Sequence, residues 1–244
     1  MLVSKTLRLY GIGESNLELE ILDIINEQTN PTVALYAKEL EVTIRITAKA
    51  ENEREAFKLI KPVEEKIKSR VGKYVYTEGD ISISEGETAL EDAVSKLLVE
   101  KNLTIAVAES CTGGLVSSSL INYPGISSVF LEGCVTYSND SKMKRLGVKR
   151  ETLEEFGAVS EQTAIEMAEG IAKGLKANIG ISTTGVAGPG GGTKEKPVGL
   201  VYTAIYINGK TIVKKNIFNG DRRKIRLRAT RDLLNELRIQ LEKL

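Results

Sequence analysis

Histidine is absent: none of the 244 residues is one. A Ser-His-Asp triad, a histidine-held metal and an imidazole base are therefore excluded within a single kind of chain. Any nucleophilic chemistry must find its base in lysine, tyrosine or a carboxylate. Cysteine is nearly absent as well. Cys111 and Cys134 have no CxxC spacing and no further partners, which supports neither a disulfide framework nor a zinc cluster, and each reads as a small buried hydrophobe. Aromatic residues make up only 5%, and 34 basic side chains face 33 acidic ones. The chain thus lacks the positive field and stacking surfaces of a dedicated nucleic-acid binder. No run approaches the ~18 apolar residues of a membrane span, and the opening Met1-Leu2-Val3-Ser4-Lys5 has no apolar signal core, so a soluble cytoplasmic protein is expected.

What is present is patterned enough for two domains, each with a core of its own. Residues 5–12 alternate apolar and polar positions, and Ser15 is placed as an N-cap before the periodic run Leu17, Leu19, Ile21, Leu22, Ile25. Alternating runs over 32–38 and 41–48 predict a hairpin. A charged amphipathic segment from Asn52 to Val71 predicts a second helix, which Pro62 is expected to kink or restart. A short strand at 74–78 completes β-α-β-β-α-β, the split βαβ order, with two helices over one face of a four-stranded antiparallel sheet. The polar stretch Gly79–Gly86 reads as a boundary, with Thr88 before the next helix. Domains are expected over 1–80 and 86–244.

Beyond the boundary, short apolar runs alternate with helical ones, as strands buried on both faces require. Strands are predicted at 104–108, 130–137 and 179–184. A further pair at 198–207 and 211–218 turns at Asn208-Gly209. Helices are predicted at 115–121 and 142–146, after Ser160, and from Asp221 to the end of the chain. The expected fold class is α/β: a three-layer α/β/α C-terminal domain with a mostly parallel mixed sheet, preceded by a small α+β domain.

In such a sheet, ligands bind beyond the carboxyl ends of the strands. Four segments converge there: Glu109–Gly114, Thr136-Tyr137 with Lys142, Thr183–Gly192, and Asp221-Arg222. The Ser110-Cys111-Thr112-Gly113-Gly114 turn places a hydroxyl at a helix start, where free amides favour an oxyanion or phosphate. It serves equally well as a plain cap, with Ser110 or Thr112 supplying the oxygen. The Gly185–Gly192 loop offers a backbone cradle for phosphate or simply connects two strands, and it matches neither the Walker pattern nor GxGxxG. Lys142 reads either as a solvated charge or as the base for Ser110. The second role requires burial and the nearby Lys144 and Arg145 to lower its pKa from about 10.4 toward roughly 7–8, with the Tyr137 hydroxyl passing a proton. Cys111 is the rival nucleophile. Arg222 and Arg223 offer bidentate contacts to a phosphate, or belong to an exposed basic face continued by Lys224, Arg226 and Arg228.

Taken together, Ala108–Gly114, Gly133–Asn139 with Lys142, Gly157–Ser160 and Thr184–Gly191 resemble the C-terminal domain of the CinA, or competence-damage-inducible, family. Lys5–Ser15 and Asn30–Tyr36 resemble that family's KH-type domain. The resemblance implies a nicotinamide-nucleotide amidase, which converts nicotinamide mononucleotide to nicotinate mononucleotide and ammonia in pyridine-nucleotide salvage. It implies Ser110 as nucleophile assisted by Lys142 and Tyr137. Substrate contacts are implied at Cys111, Thr112, Gly113, Gly114, Thr184, Gly185, Gly188, Gly190 and Arg222 or a neighbouring arginine. It also implies a homodimer, with no cofactor and no metal. The family's N-terminal molybdopterin-binding-like domain has no counterpart in these residues, so its pyrophosphatase chemistry is not assigned. No Gly-x-x-Gly loop joins two helices, so the KH label does not imply RNA binding. The alternative is a competence-associated module that binds a nucleotide without hydrolysing it.

Overall fold

Alternation along β1 (Leu2–Tyr10) sets the first architecture: Leu7 and Leu9 enter a core, while Thr6 and Arg8 point to the other face of the sheet. The computed structural model describes residues 1–38, 40–79 and 90–244. It forms two compact units, Met1–Ala93 and Val94–Leu244. Most of the expected boundary stretch, with Thr88, lies outside the described residues.

In the first unit, β1 is followed by α1 (Glu14–Glu20), α2 (Leu22–Asn26), β2 (Thr32–Lys38), β3 (Glu41–Lys49), α3 (Glu53–Val71) and β4 (Val75–Gly79). The strand order is β2-β3-β1-β4 with every pairing antiparallel, as the split βαβ order requires. Leu17, Ala56, Ile60 and Ile67 from the helices, with Ile21 between α1 and α2, bury against Leu7, Leu9, Ile44 and Ile46. On the opposite face Arg8 pairs with Glu41, and the Tyr76 hydroxyl donates to the same carboxylate at 2.5 Å.

Two local expectations are corrected here. Ser15 lies inside α1; the N-cap is Gly13, whose carbonyl takes the Leu17 amide at 2.9 Å, and Glu14 supplies the first-turn acid. Pro62 does not restart α3, which is continuous over 19 residues. Both Pro62 and Lys58, whose carbonyl loses its helical partner, are exposed, so the lost bond falls on the solvent side of the helix.

The remaining elements are α4 (Leu90–Glu100), β5 (Ile105–Glu109), α5 (Leu115–Ile121), β6 (Phe130–Val135), α6 (Asn139–Leu146), α7 (Arg150–Glu155), α8 (Glu161–Leu175), β7 (Ile179–Gly185), β8 (Leu200–Ile207), β9 (Lys210–Ile217) and α9 (Arg222–Glu242). The sheet order is β6-β5-β7-β8-β9. β5 lies parallel to β6 and β7, while β8 runs antiparallel to both its neighbours, so four strands share one direction. Ala204 of β8 faces Ala164 and Ala168 of α8, and Val201 faces Ile225 and Ala229 of α9, which places helices on both sides of the sheet. The hairpin turns at Asn208-Gly209, both at positive φ. α6 is longer than expected because Ser138 caps it by accepting the Ser141 amide, and α7 is an addition to the expected elements. α6 lies close to α8 because residue 170 is glycine: a Cβ there would fall 1.9 Å from the Leu146 carbonyl oxygen.

Among the described residues no helix is long and apolar enough to cross a membrane, and no three potential ligand side chains gather to hold a metal ion. The carboxyl ends of β5, β6 and β7 meet the start of β8 and the end of β9 at one edge of the sheet, where α9 begins.

Candidate active site

Ser110 follows the last residue of β5, and Lys142 lies on the first turns of α6. The two are 32 positions apart in sequence, yet Nζ of Lys142 lies 3.1 Å from Oγ of Ser110. Two carbonyls complete the ammonium's surroundings, Thr136 at 2.8 Å and Tyr137 at 3.3 Å, and no carboxylate among the described residues is paired with it. The lysine is 1% exposed. Burial pushes its pKa down to about 8, because removing the charged amine from water costs more than three neutral acceptors return. The cations expected to help do not contribute: Arg145 is paired with Glu132, and Lys144 is exposed.

The turn between β5 and α5 differs from expectation. Neither Ser110 nor Thr112 caps the helix; the N-cap is Gly114, at φ +96°, a conformation that disfavours any other residue. The helix start is also not free to bind an anion, because Glu109, fully buried, occupies it. Its Oε2 accepts from the Gly114 amide at 2.9 Å, the Val116 amide at 3.1 Å and the Thr112 hydroxyl at 2.6 Å. Its Oε1 accepts from the Ser117 amide at 2.8 Å and hydroxyl at 2.7 Å. A second threonine, Thr183 of β7, shares a 2.6 Å hydrogen bond with Thr112. No backbone carbonyl among the described residues takes the Cys111 or Thr112 amide. The Cys111 thiol is buried, and burial pushes its pKa up to about 11, which leaves it protonated and a poor rival to the serine.

Tyr137 belongs to two groups. Its carbonyl accepts from Lys142, while its hydroxyl accepts from Nη2 of Arg222 at 3.2 Å, so it does not bridge serine and lysine as expected. Nη1 of the same arginine donates to the Gly188 carbonyl at 2.8 Å, joining the start of α9 to the glycine loop. Gly113 follows Thr112 in the turn at φ +61°. Gly185 ends β7 tight against Leu200, Gly188 is buried, and Gly190 lies exposed on the loop. Thr184 donates its hydroxyl to the Ala158 carbonyl at 2.6 Å, which ties β7 to the segment before α8. Arg223 is exposed.

Three residues were missed by sequence reasoning. Glu109 ends an otherwise apolar strand, Ile105-Ala106-Val107-Ala108, and a charge in that place was the available signal. Thr183 sits in a buried Ser-Thr-Thr run. Arg226, assigned to an exposed face, is half-buried and donates from Nε and Nη2 to the Thr112 carbonyl at 3.2 and 2.6 Å; it lies one helical turn beyond Arg222.

Fold and site together define a two-unit α+β and α/β/α protein whose second unit holds a buried serine–lysine pair at the carboxyl edge of its sheet. The CinA C-terminal domain profile matches residues 87–241, and that of the damage-inducible protein CinA KH domain matches residues 4–77. The chain belongs to the CinA family. Over 244 residues it is 59% identical to a protein of Clostridium perfringens named competence-damage inducible protein, covering all of this chain and 57% of that relative. A protein of the same name from Clostridium acetobutylicum is 58% identical over 240 residues, covering 98% of this chain and 57% of the relative. The chain therefore spans a little over half the length of these curated relatives. Among solved structures, competence/damage inducible protein from Agrobacterium tumefaciens is similar at 41% identity and TM-score 0.60, covering 64% of this chain and 97% of that one. A CinA superfamily protein from Klebsiella pneumoniae is similar at 32% identity and TM-score 0.61, with the same coverage.

Proposed function

We propose that the second unit is a nicotinamide-nucleotide amidase that converts nicotinamide mononucleotide and water to nicotinate mononucleotide and ammonia. The observation that carries this reading is the 3.1 Å contact between a buried, weakly basic Lys142 and the Ser110 hydroxyl. In a chain with no imidazole, a desolvated amine that is partly neutral near pH 8 supplies what a serine nucleophile lacks. The neutral amine takes the Ser110 proton as Oγ bonds to the carboxamide carbon, and the carbonyl electron pair moves to oxygen. The Cys111 and Thr112 amides receive that oxyanion, a contribution of about 3–4 kcal/mol in comparable sites. The tetrahedral adduct collapses as the carbon–nitrogen bond breaks, and Lys142 returns the proton so that ammonia departs. Water then attacks the acyl-serine and gives a proton to Lys142, and as the carbon–Oγ bond breaks Lys142 passes that proton to Oγ, which restores both Ser110 and the neutral amine. Arg222, which donates to the Gly188 carbonyl and the Tyr137 hydroxyl, is the side chain this reading assigns to the nucleotide's phosphate. No cofactor or metal enters these steps. A homodimer in the cytoplasm completes the reading.

The test is ammonia release from nicotinamide mononucleotide by the purified chain. Ser110→Ala and Lys142→Ala should each lose at least about 10³-fold in kcat/KM, and Cys111→Ala should stay within a few fold. An active serine variant beside an inactive cysteine variant reverses the assignment of nucleophile.

A further inference from the structure

We propose that Glu109 is the positioning residue of this site: its buried carboxylate ties the Ser110 turn to the first turn of α5 and so fixes the serine hydroxyl opposite Lys142. The inference rests on Ser110 as the nucleophile.

A carboxylate with no exposed surface is costly unless its lone pairs are filled, and five donors fill them, none from a basic side chain. The two oxygens divide the work. Oε1 holds only Ser117, inside the helix, whereas Oε2 holds Thr112, two residues beyond the nucleophile, and the Gly114 and Val116 amides that follow. The backbone of Ser110 is fixed from both sides, its amide donating to the Thr183 carbonyl at 3.0 Å and its carbonyl accepting from the Gly113 amide at 3.2 Å. The amide of Thr136, whose carbonyl receives Lys142, donates to the Glu109 carbonyl at 2.8 Å. One residue thus anchors both partners of the 3.1 Å contact, the serine through its carboxylate and the lysine through its backbone.

The carboxylate also gives the network one direction. Both Glu109 oxygens accept in all five bonds, so the single Thr112 hydroxyl proton points at Glu109. The proton in the Thr112–Thr183 bond must then come from Thr183. Glutamine has the same shape, but its NH2 would face hydroxyl and amide donors and break this order.

Glu109→Gln, Thr112→Val, Ser117→Ala and Ser110→Ala in the full chain test the proposal through kcat and KM for ammonia release, together with the thermal midpoint. Glu109→Gln should lower kcat about 100-fold with KM little changed, as expected when a reacting group is misplaced while substrate binding stays intact. Thr112→Val should lower kcat about tenfold. Ser117→Ala, which removes a donor only on the helix side, should lower the midpoint comparably yet keep kcat within about twofold. If Glu109→Gln does not fold, the Thr112 and Ser117 pair decides. The proposal is overturned if Thr112→Val keeps kcat within about twofold of the parent, or if both variants lose kcat in proportion to their midpoints. A Ser110→Ala chain that still releases ammonia refutes the nucleophile itself. An inactive Ser110→Ala beside a fully active Glu109→Gln refutes only the role of Glu109.

Discussion

Lys142→Met replaces the buried ammonium with an apolar side chain of similar length, and its effect on stability depends on pH in a way set by one number. The folded pKa is about 8 against an ordinary value of 10.5, a depression that comes from burial. Below pH 8 both folded and unfolded chains carry the proton, and the native state bears the full cost of a desolvated charge. Between pH 8 and 10.5 the unfolded chain binds more protons than the folded one, so stability rises with pH across that window and levels off above it. At about 1.4 kcal/mol for each tenfold change in proton affinity, the parent chain should gain roughly 2–3 kcal/mol over Lys142→Met between pH 7 and pH 10. Cys111, pushed up to about 11 by burial, acts in the opposite sense above pH 9, but it is present in both chains and largely cancels in the difference. Urea unfolding of both chains at pH 7, 8.5 and 10 measures the effect. The same titration predicts that kcat/KM for ammonia release rises about tenfold from pH 7 to a plateau above pH 9, as the amine loses its proton. A stability difference that is flat across the window, or a rate that does not change from pH 7 to 9, would refute the argument that burial makes Lys142 a base.

Gly170→Ala should destabilise the chain by about 1–3 kcal/mol and lower kcat as well. Its Cβ would meet the Leu146 carbonyl at the end of the helix that carries Lys142, and thermal unfolding with steady-state rates checks both effects. Cys111 should react with iodoacetamide at pH 8 at least about 100-fold more slowly than an unhindered thiol, because it is buried and protonated; intact-mass kinetics would expose the error if labelling is fast. In the first unit, Glu41→Ala should cost about 3–5 kcal/mol, since it removes a buried carboxylate that pairs with the Arg8 guanidinium and accepts from the Tyr76 hydroxyl, and denaturant unfolding reads the loss.

Features governed by local chemistry were legible in the sequence. Ser160 caps α8 as expected, α9 begins beside Asp221 as expected, with that residue as its cap, and Asn208-Gly209 turns the hairpin, because one or two residues decide each. The gathering of Ser110 with Lys142 was legible too, through the rule that ligands and loops meet at the carboxyl ends of parallel strands. What stayed hidden depends on direction and partner. A tyrosine beside a lysine suggests a relay, but only the fold reveals that the Tyr137 ring turns toward Arg222. The cause of the lowered Lys142 pKa was half legible: burial operates, whereas Arg145 is neutralised by Glu132, a partner thirteen residues upstream on another element. Glu109 remained hidden because its five donors lie at spacings of three to eight residues, a pattern no helical or strand period generates.

A helix that carries its own counter-ion recruits no second one. With the dipole of α5 already answered from inside the protein, the proposed amidase would leave selection of a negatively charged guest at this edge to the guanidinium groups of α9, foremost the solvent-exposed Arg222. Dissolved ions attenuate such a contact, whereas the hydroxyl and amine beneath are sealed from them. On the amidase reading, ionic strength would thereby control capture alone, exerted at the rim and not felt at the reacting atoms.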